Sequence, residues 1–174
     1  MLIKHHEPYG TKENQQNPLP KNWRELAAKT GIKPKRFGIV EEGKLYRSGI
    51  IWPPQIPWLQ ENHGIVHIVS LLEGDWLQDY YESSDIVLHQ FPFRQRRQLT
   101  FDRAKNIVDV INDLEKPAIV HCLHGVVRTG MVCAAYQIIN GRKSHYSAIL
   151  ETVMYGNINL SALKEISSYT GFRF

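Results

Sequence analysis

The chain has 174 residues, 43% of them hydrophobic, and a formal net charge of +4. That length and apolar content suit one packed α/β domain and argue against a second, and so modest a charge fits an anionic substrate without calling for nucleic acid. Two cysteines exclude a disulfide-stapled scaffold, and no apolar run reaches the length of a signal sequence or a membrane span, so a cytoplasmic location is expected.

Residues 1–20 are polar and include Pro18 and Pro20, and they read as an arm ahead of a single domain over 21–174. Trp23 to Lys29 suits a short helix, with Gly31 just past its end. Phe37 to Val40 and Lys44 to Arg47 flank Glu41-Glu42-Gly43 and predict a hairpin. Pro57 to Asn62 predicts a brief helix, with proline tolerated in its first turn. Gly64 ends it before Ile65 to Leu72, a strand apolar on nearly every residue and therefore covered on both faces. A helix over Trp76 to Glu82 and a strand over Ile86 to Phe91 follow, then an amphipathic helix from Thr100 to Leu114 that places Ala104, Ile107, Val108 and Ile111 on one side. Lys116-Pro117 turns the chain into a buried strand, Ala118-Ile119-Val120, that runs up to Cys122. Beyond it come a broad apolar helix stopped by Gly141, a helix over Ser144 to Val153, a turn at Tyr155-Gly156-Asn157, and a last helix from Ser161 to Tyr169. Alternating strands and helices imply three layers, a central mostly parallel sheet with helices on both faces.

Residues 121–130 carry the chemistry: His-Cys-Leu-His-Gly-Val-Val-Arg-Thr-Gly. A cysteine at a strand end, five residues, then an arginine at a helix start is the arrangement by which a thiolate attacks a phosphate monoester. Leu123, His124, Gly125, Val126 and Val127 form a loop whose N–H groups can turn inward around an anion, Gly125 supplying a positive φ. The helix beginning near Arg128 adds its unpaired N–H groups and the positive end of its dipole, an electropositive setting of the kind that favours a thiolate. Arg128 offers a planar fork for two phosphoryl oxygens. Thr129 is placed to donate to the departing sulfur, and His121 to order the loop by hydrogen bonding. His124 either lines the pocket or is an exposed loop histidine without a role. The chemistry asks for no metal and no cofactor.

His121-Cys122-x-x-Gly125-x-x-Arg128-Thr129-Gly130 resembles the signature loop of the cysteine-dependent protein tyrosine and dual-specificity phosphatases. The resemblance extends to Leu45-Tyr46-Arg47-Ser48-Gly49, similar to a strand of the small bacterial dual-specificity-like type, and to Gly64 through Leu71, and it covers roughly residues 37–155. It implies a protein tyrosine phosphatase-like fold of the phosphotyrosine protein phosphatases II type, a phosphoric monoester hydrolase working through a cysteinyl-phosphate, and a phosphorylated protein or a small anionic phosphate as substrate. It also implies that Arg47 passes behind the loop and holds its carbonyls, the other reading being an ordinary strand charge.

The resemblance further implies an aspartic acid after the strand Ile86 to Phe91, where this chain has Arg94-Gln95-Arg96-Arg97 instead. Asp102, in the first turn of the following helix, and Asp75, after the strand Ile65 to Leu72, are the candidate proton donors; a third possibility is that none is dedicated. A phosphoanhydride substrate would need none, so an RNA 5′-triphosphatase-like or inositol pyrophosphate activity is the alternative, and nucleic acid enters only there. Arg94, Arg96 and Arg97 suit extra negative charge near the scissile group or form a solvated basic turn. A non-catalytic phosphate-binding module is the reading from a different class; retention of both Cys122 and Arg128 weighs against it.

Overall fold

The alternation of strands and helices is realised as a six-stranded sheet. The computed structural model describes residues 3–5, 22–72, 81, 85–93 and 99–156. In chain order these form β1 (Ile3–His5), α1 (Trp23–Thr30), β2 (Gly38–Glu41), β3 (Leu45–Ser48), α2 (Ile56–His63), β4 (His67–Ser70), β5 (Val87–Gln90), α3 (Phe101–Asp113), β6 (Ala118–His121), α4 (Val127–Ile139) and α5 (His145–Met154). The helices predicted over Trp76 to Glu82 and Ser161 to Tyr169 fall wholly or largely outside the described residues.

The strand order is β1-β5-β4-β6-β3-β2. The β2–β3 hairpin is antiparallel and every other pairing is parallel. β1 lies within the stretch read as an arm and pairs with β5, so the sheet edge is built partly from the first residues of the chain. Successive strand residues face opposite layers. Leu45, Val69, Ala118 and Val120 pack with Ile107, Val108 and Ile111 of α3 and Met131 and Val132 of α4. Tyr46, Ile68, Leu88 and Ile119 pack on the other face with Ala27 of α1 and Ile56 and Leu59 of α2. That sandwich is the three-layer architecture expected.

Hydrogen-bonded strand in the Ile65 to Leu72 segment is confined to four residues. At its ends, Val66 N–H donates to Pro117 O and Leu71 N–H to His121 O, and these bonds carry the apolar run beyond the regular ladder. Register then sets the site. Ser48 and Ser70 both stand opposite His121, so three neighbouring parallel strands end level and deliver Ser48-Gly49, Ser70-Leu71 and His121-Cys122 to one rim. This is the carboxyl edge of the sheet, where open α/β folds bind ligands.

Candidate active site

The signature loop is held from outside, carbonyl by carbonyl. His121 O accepts from Leu71 N–H, and Leu123 O accepts from Ile50 N–H at 3.2 Å. His124 O accepts from Arg36 Nη1 at 3.0 Å and Gly125 O from Arg47 Nη2 at 2.8 Å, while Val126 O accepts from Gly130 N–H at 2.8 Å as the first bond of α4. A peptide unit whose carbonyl is tied outward turns its N–H the other way. Among the described residues none of the N–H groups of 123–126 donates to a protein acceptor, which is the condition for a phosphate nest. Cys122 leads directly into these residues and is 3% exposed; α4 starts at their other end, at Val127.

Gly125 makes the turn possible. Its φ is 69°, and a Cβ there would lie 2.6 Å from both C and O of Ser48 and would collide with Gly49 N. The loop is thus pressed backbone to backbone against the end of β3. Arg47 lies underneath, 1% exposed, with its guanidinium carbon 3.8 Å from the centroid of the Tyr155 ring.

Arg128, half-buried at the second position of α4, donates from Nη1 to Leu71 O at 3.0 Å and to Phe93 O at 2.7 Å. These carbonyls follow β4 and β5, so one nitrogen of the fork is fixed by two strand ends. The other nitrogens make no hydrogen bond to the described residues.

Two residues differ from expectation. Thr129 is buried and its hydroxyl has no partner, the cysteine sulfur included; adjacent residues on a helix do not share a face, and Arg128 occupies the one turned to β4 and β5. His121 is fully buried, and neither ring nitrogen makes a hydrogen bond of ordinary geometry. Burial, aided by the charge of Arg128 and opposed by the neighbouring Cys122 main chain, holds its pKa down to about 4. The imidazole is therefore buried in its neutral form.

His124 is exposed within the loop. Asp102 is exposed in the first turn of α3, whose N-cap Thr100 accepts from Arg103 N–H, and it pairs with no described residue. Asp75 and the Arg94, Arg96 and Arg97 cluster lie outside the described residues. Sequence reasoning missed Arg36 and Tyr155. The basic run Lys33-Pro34-Lys35-Arg36 was the available signal for the first; Tyr155 sits in what reads as a plain turn. Among the described residues no three His, Cys, Asp or Glu side chains converge as a metal would require, and no helix is long and apolar enough to cross a membrane.

Residues 47–142 match the family model Tc-R-P, described as "Polymorphic toxin system, DSP-PTPase phosphatase". The chain belongs to this DSP-PTPase phosphatase family. It is therefore a phosphatase of the cysteine-dependent protein tyrosine and dual-specificity superfamily, and the matched span includes the whole signature loop and Arg47. The DSP-PTPase fold recurs in solved structures. The core catalytic domain of the PP-IP phosphatase Siw14 from S. cerevisiae superposes with a TM-score of 0.70 at 17% identity, covering 79% of this chain and 87% of that one. TpbA from P. aeruginosa gives 0.63 at 21% identity, with 75% and 81% covered. PTPMT1 gives 0.64 at 14% identity, with 78% and 94% covered. No curated protein matches the chain in sequence.

Proposed function

We propose that this phosphatase hydrolyses phosphate monoesters on proteins, phosphotyrosine and also phosphoserine or phosphothreonine, through a cysteinyl-phosphate. The observation that carries the reading is the outward tethering of the loop carbonyls, which leaves an inward ring of N–H groups above Cys122. In the first step the Cys122 sulfur attacks phosphorus, the P–O bond to the leaving group breaks, and the departing oxygen takes a proton from Asp102. In the second, water attacks phosphorus and gives a proton back to the Asp102 carboxylate, the S–P bond breaks, and inorganic phosphate and the thiolate are released. The N–H ring and the free part of the Arg128 fork bind the equatorial oxygens as phosphorus becomes trigonal bipyramidal. Two free cysteines suit a reducing cytoplasm, where a nucleophilic thiol survives. The family description supports a toxin domain as the biological setting.

A second reading keeps this chemistry on a phosphoanhydride. It is favoured by the resemblance to Siw14, named as a PP-IP phosphatase, against which stand TpbA, solved in complex with pTyr, and PTPMT1, solved in complex with PI(5)P.

The test is kcat/KM on an aryl phosphate, a phosphotyrosyl peptide, a nucleoside triphosphate and an inositol pyrophosphate, for wild type and Cys122→Ser. The proposal expects the peptide to lead and the serine variant to be inactive while still binding phosphate. Faster anhydride cleavage favours the second reading. Wild-type turnover by Cys122→Ser defeats both.

A further inference from the structure

Arg47 is a cation buried at the back of the phosphate cradle, and among the described residues no carboxylate pairs with it. Its Nη2 holds Gly125 O at 2.8 Å, and its Nε has no partner. A buried guanidinium needs compensation that one carbonyl does not supply. The π-face of Tyr155 supplies a further electrostatic contact, with the guanidinium carbon 3.8 Å from the ring centroid.

Tyr155 caps α5 and is itself locked in place. Gly38 presents a bare Cα to it: a Cβ at Gly38 would meet the Tyr155 hydroxyl and lie 2.6 Å from Cζ and 2.7 Å from Cε1. The same end of α5 grips the loop at two further points. The Thr152 methyl packs so closely on Gly130 that a Cβ there would collide with it, and a Cβ at Gly156 would lie 2.8 Å from a methyl of Val126. All three contacts come from residues beyond the 47–142 span that defines the family.

We propose that Tyr155 is a positioning residue for the phosphate cradle, acting through Arg47: its ring fixes the guanidinium that ties Gly125 O outward and so aims the loop N–H groups at the phosphoryl oxygens. The inference rests on the reading that the cradle binds a phosphoryl group. The end of α5 serves as a clasp on the catalytic loop, and Tyr155 is its electrostatic element. A desolvated cation–π contact is strong enough for its loss to be read as a change of about tenfold in phosphoryl affinity.

The experiment compares Tyr155→Leu, Tyr155→Phe, Arg47→Met and the Tyr155→Leu/Arg47→Met double variant. It reads kcat/KM on an aryl phosphate, binding of inorganic phosphate by calorimetry, and the melting temperature. Tyr155→Leu is expected to lose about tenfold in kcat/KM and in phosphate affinity, Tyr155→Phe to stay within about twofold of wild type, and the double variant to be no worse than Arg47→Met alone. Unchanged phosphate affinity in Tyr155→Leu, equal losses in Tyr155→Leu and Tyr155→Phe, or additive losses in the double variant would each overturn the proposal. Should Tyr155→Leu not fold, Gly38→Ala displaces the ring while keeping it and must weaken phosphate binding likewise; wild-type affinity there overturns the proposal too. A wild type that binds phosphate without hydrolysing it defeats the catalytic reading and leaves this test intact.

Discussion

Replacing Gly125 by alanine adds one methyl group at the point where the cradle touches the sheet. The backbone there has φ of 69°, and the new Cβ would sit 2.6 Å from Ser48 C and O and against Gly49 N. A left-handed conformation costs an L-residue about 1–2 kcal/mol, and overpacking against backbone that cannot rotate away adds about 1–3 kcal/mol. A total near 3 kcal/mol corresponds to a fall of roughly 6–12 °C in melting temperature for a chain of this size. Relief comes from the loop backing away from β3, which stretches the Arg47 Nη2 to Gly125 O bond and rotates the neighbouring peptide units. A displacement approaching 1 Å costs about a hundredfold in rate. Calorimetric melting and kcat/KM on an aryl phosphate measure the two effects. A Gly125→Ala protein that melts within a degree of wild type and turns over within about twofold of it would refute the claim that the loop is built on contact between these backbones.

Arg128→Lys should lose about 10²–10³ in kcat/KM, because one ammonium cannot bond Leu71 O and Phe93 O and also present a fork to phosphate; steady-state kinetics at matched melting temperatures decides it, and a loss under tenfold refutes it. His121 titrates about 4 in the fold against 6.5 unfolded, so between those values the unfolded chain binds the extra proton. Stability is therefore complete above the unfolded value and drains as pH falls through the window, by about 3 kcal/mol at its foot. Melting temperature against pH should be distinctly flatter over that range in His121→Gln, and parallel curves would count against a buried neutral imidazole. Asp102→Asn should slow a poor alkyl or phenyl leaving group by about 10²–10⁴ and an activated aryl ester far less; equal losses on both remove Asp102 from the role of acid.

What was legible in the sequence follows the range of the interactions involved. The β2–β3 hairpin was readable because Glu41-Glu42-Gly43 lies between Phe37 to Val40 and Lys44 to Arg47, two short stretches with bulky strand-forming residues, and α3 because Ala104, Ile107, Val108 and Ile111 repeat at helical spacing. The loop was readable because a strand end, a glycine and a helix start are local features whose order dictates which backbone groups are left unpaired. β1 was not, since three residues pairing in parallel with β5 show no period of their own. Arg36 reaches His124 O across 88 positions of sequence, from a backbone with φ of 54°. Tyr155 meets Arg47 from the end of α5. No pattern within a window encodes such pairs; they exist only once the sheet has brought their elements together.

Among the described residues three arginines surround one loop, and the geometry gives them separable tasks. Arg36 and Arg47 bond carbonyls, so their hydrogen bonds shape the nest without occupying it. Arg128 is tied to two strand ends through one nitrogen, and the rest of its fork bonds none of the described residues. If the cradle worked only as a pool of positive charge, any of the three could be traded for lysine at similar cost. Because the outer two act through the direction of a carbonyl, their removal should weaken phosphate in the ground state and the transition state together, raising KM with little change in kcat. On the proposed mechanism Arg128 follows oxygens that move only as the P–O bond breaks, so its loss should fall mainly on kcat. The division between KM and kcat across Arg36→Met, Arg47→Met and Arg128→Lys thus reports how the loop spends its charge. Equal kcat losses in all three would mean that charge alone, and not the aim of the peptide units, holds the phosphoryl group.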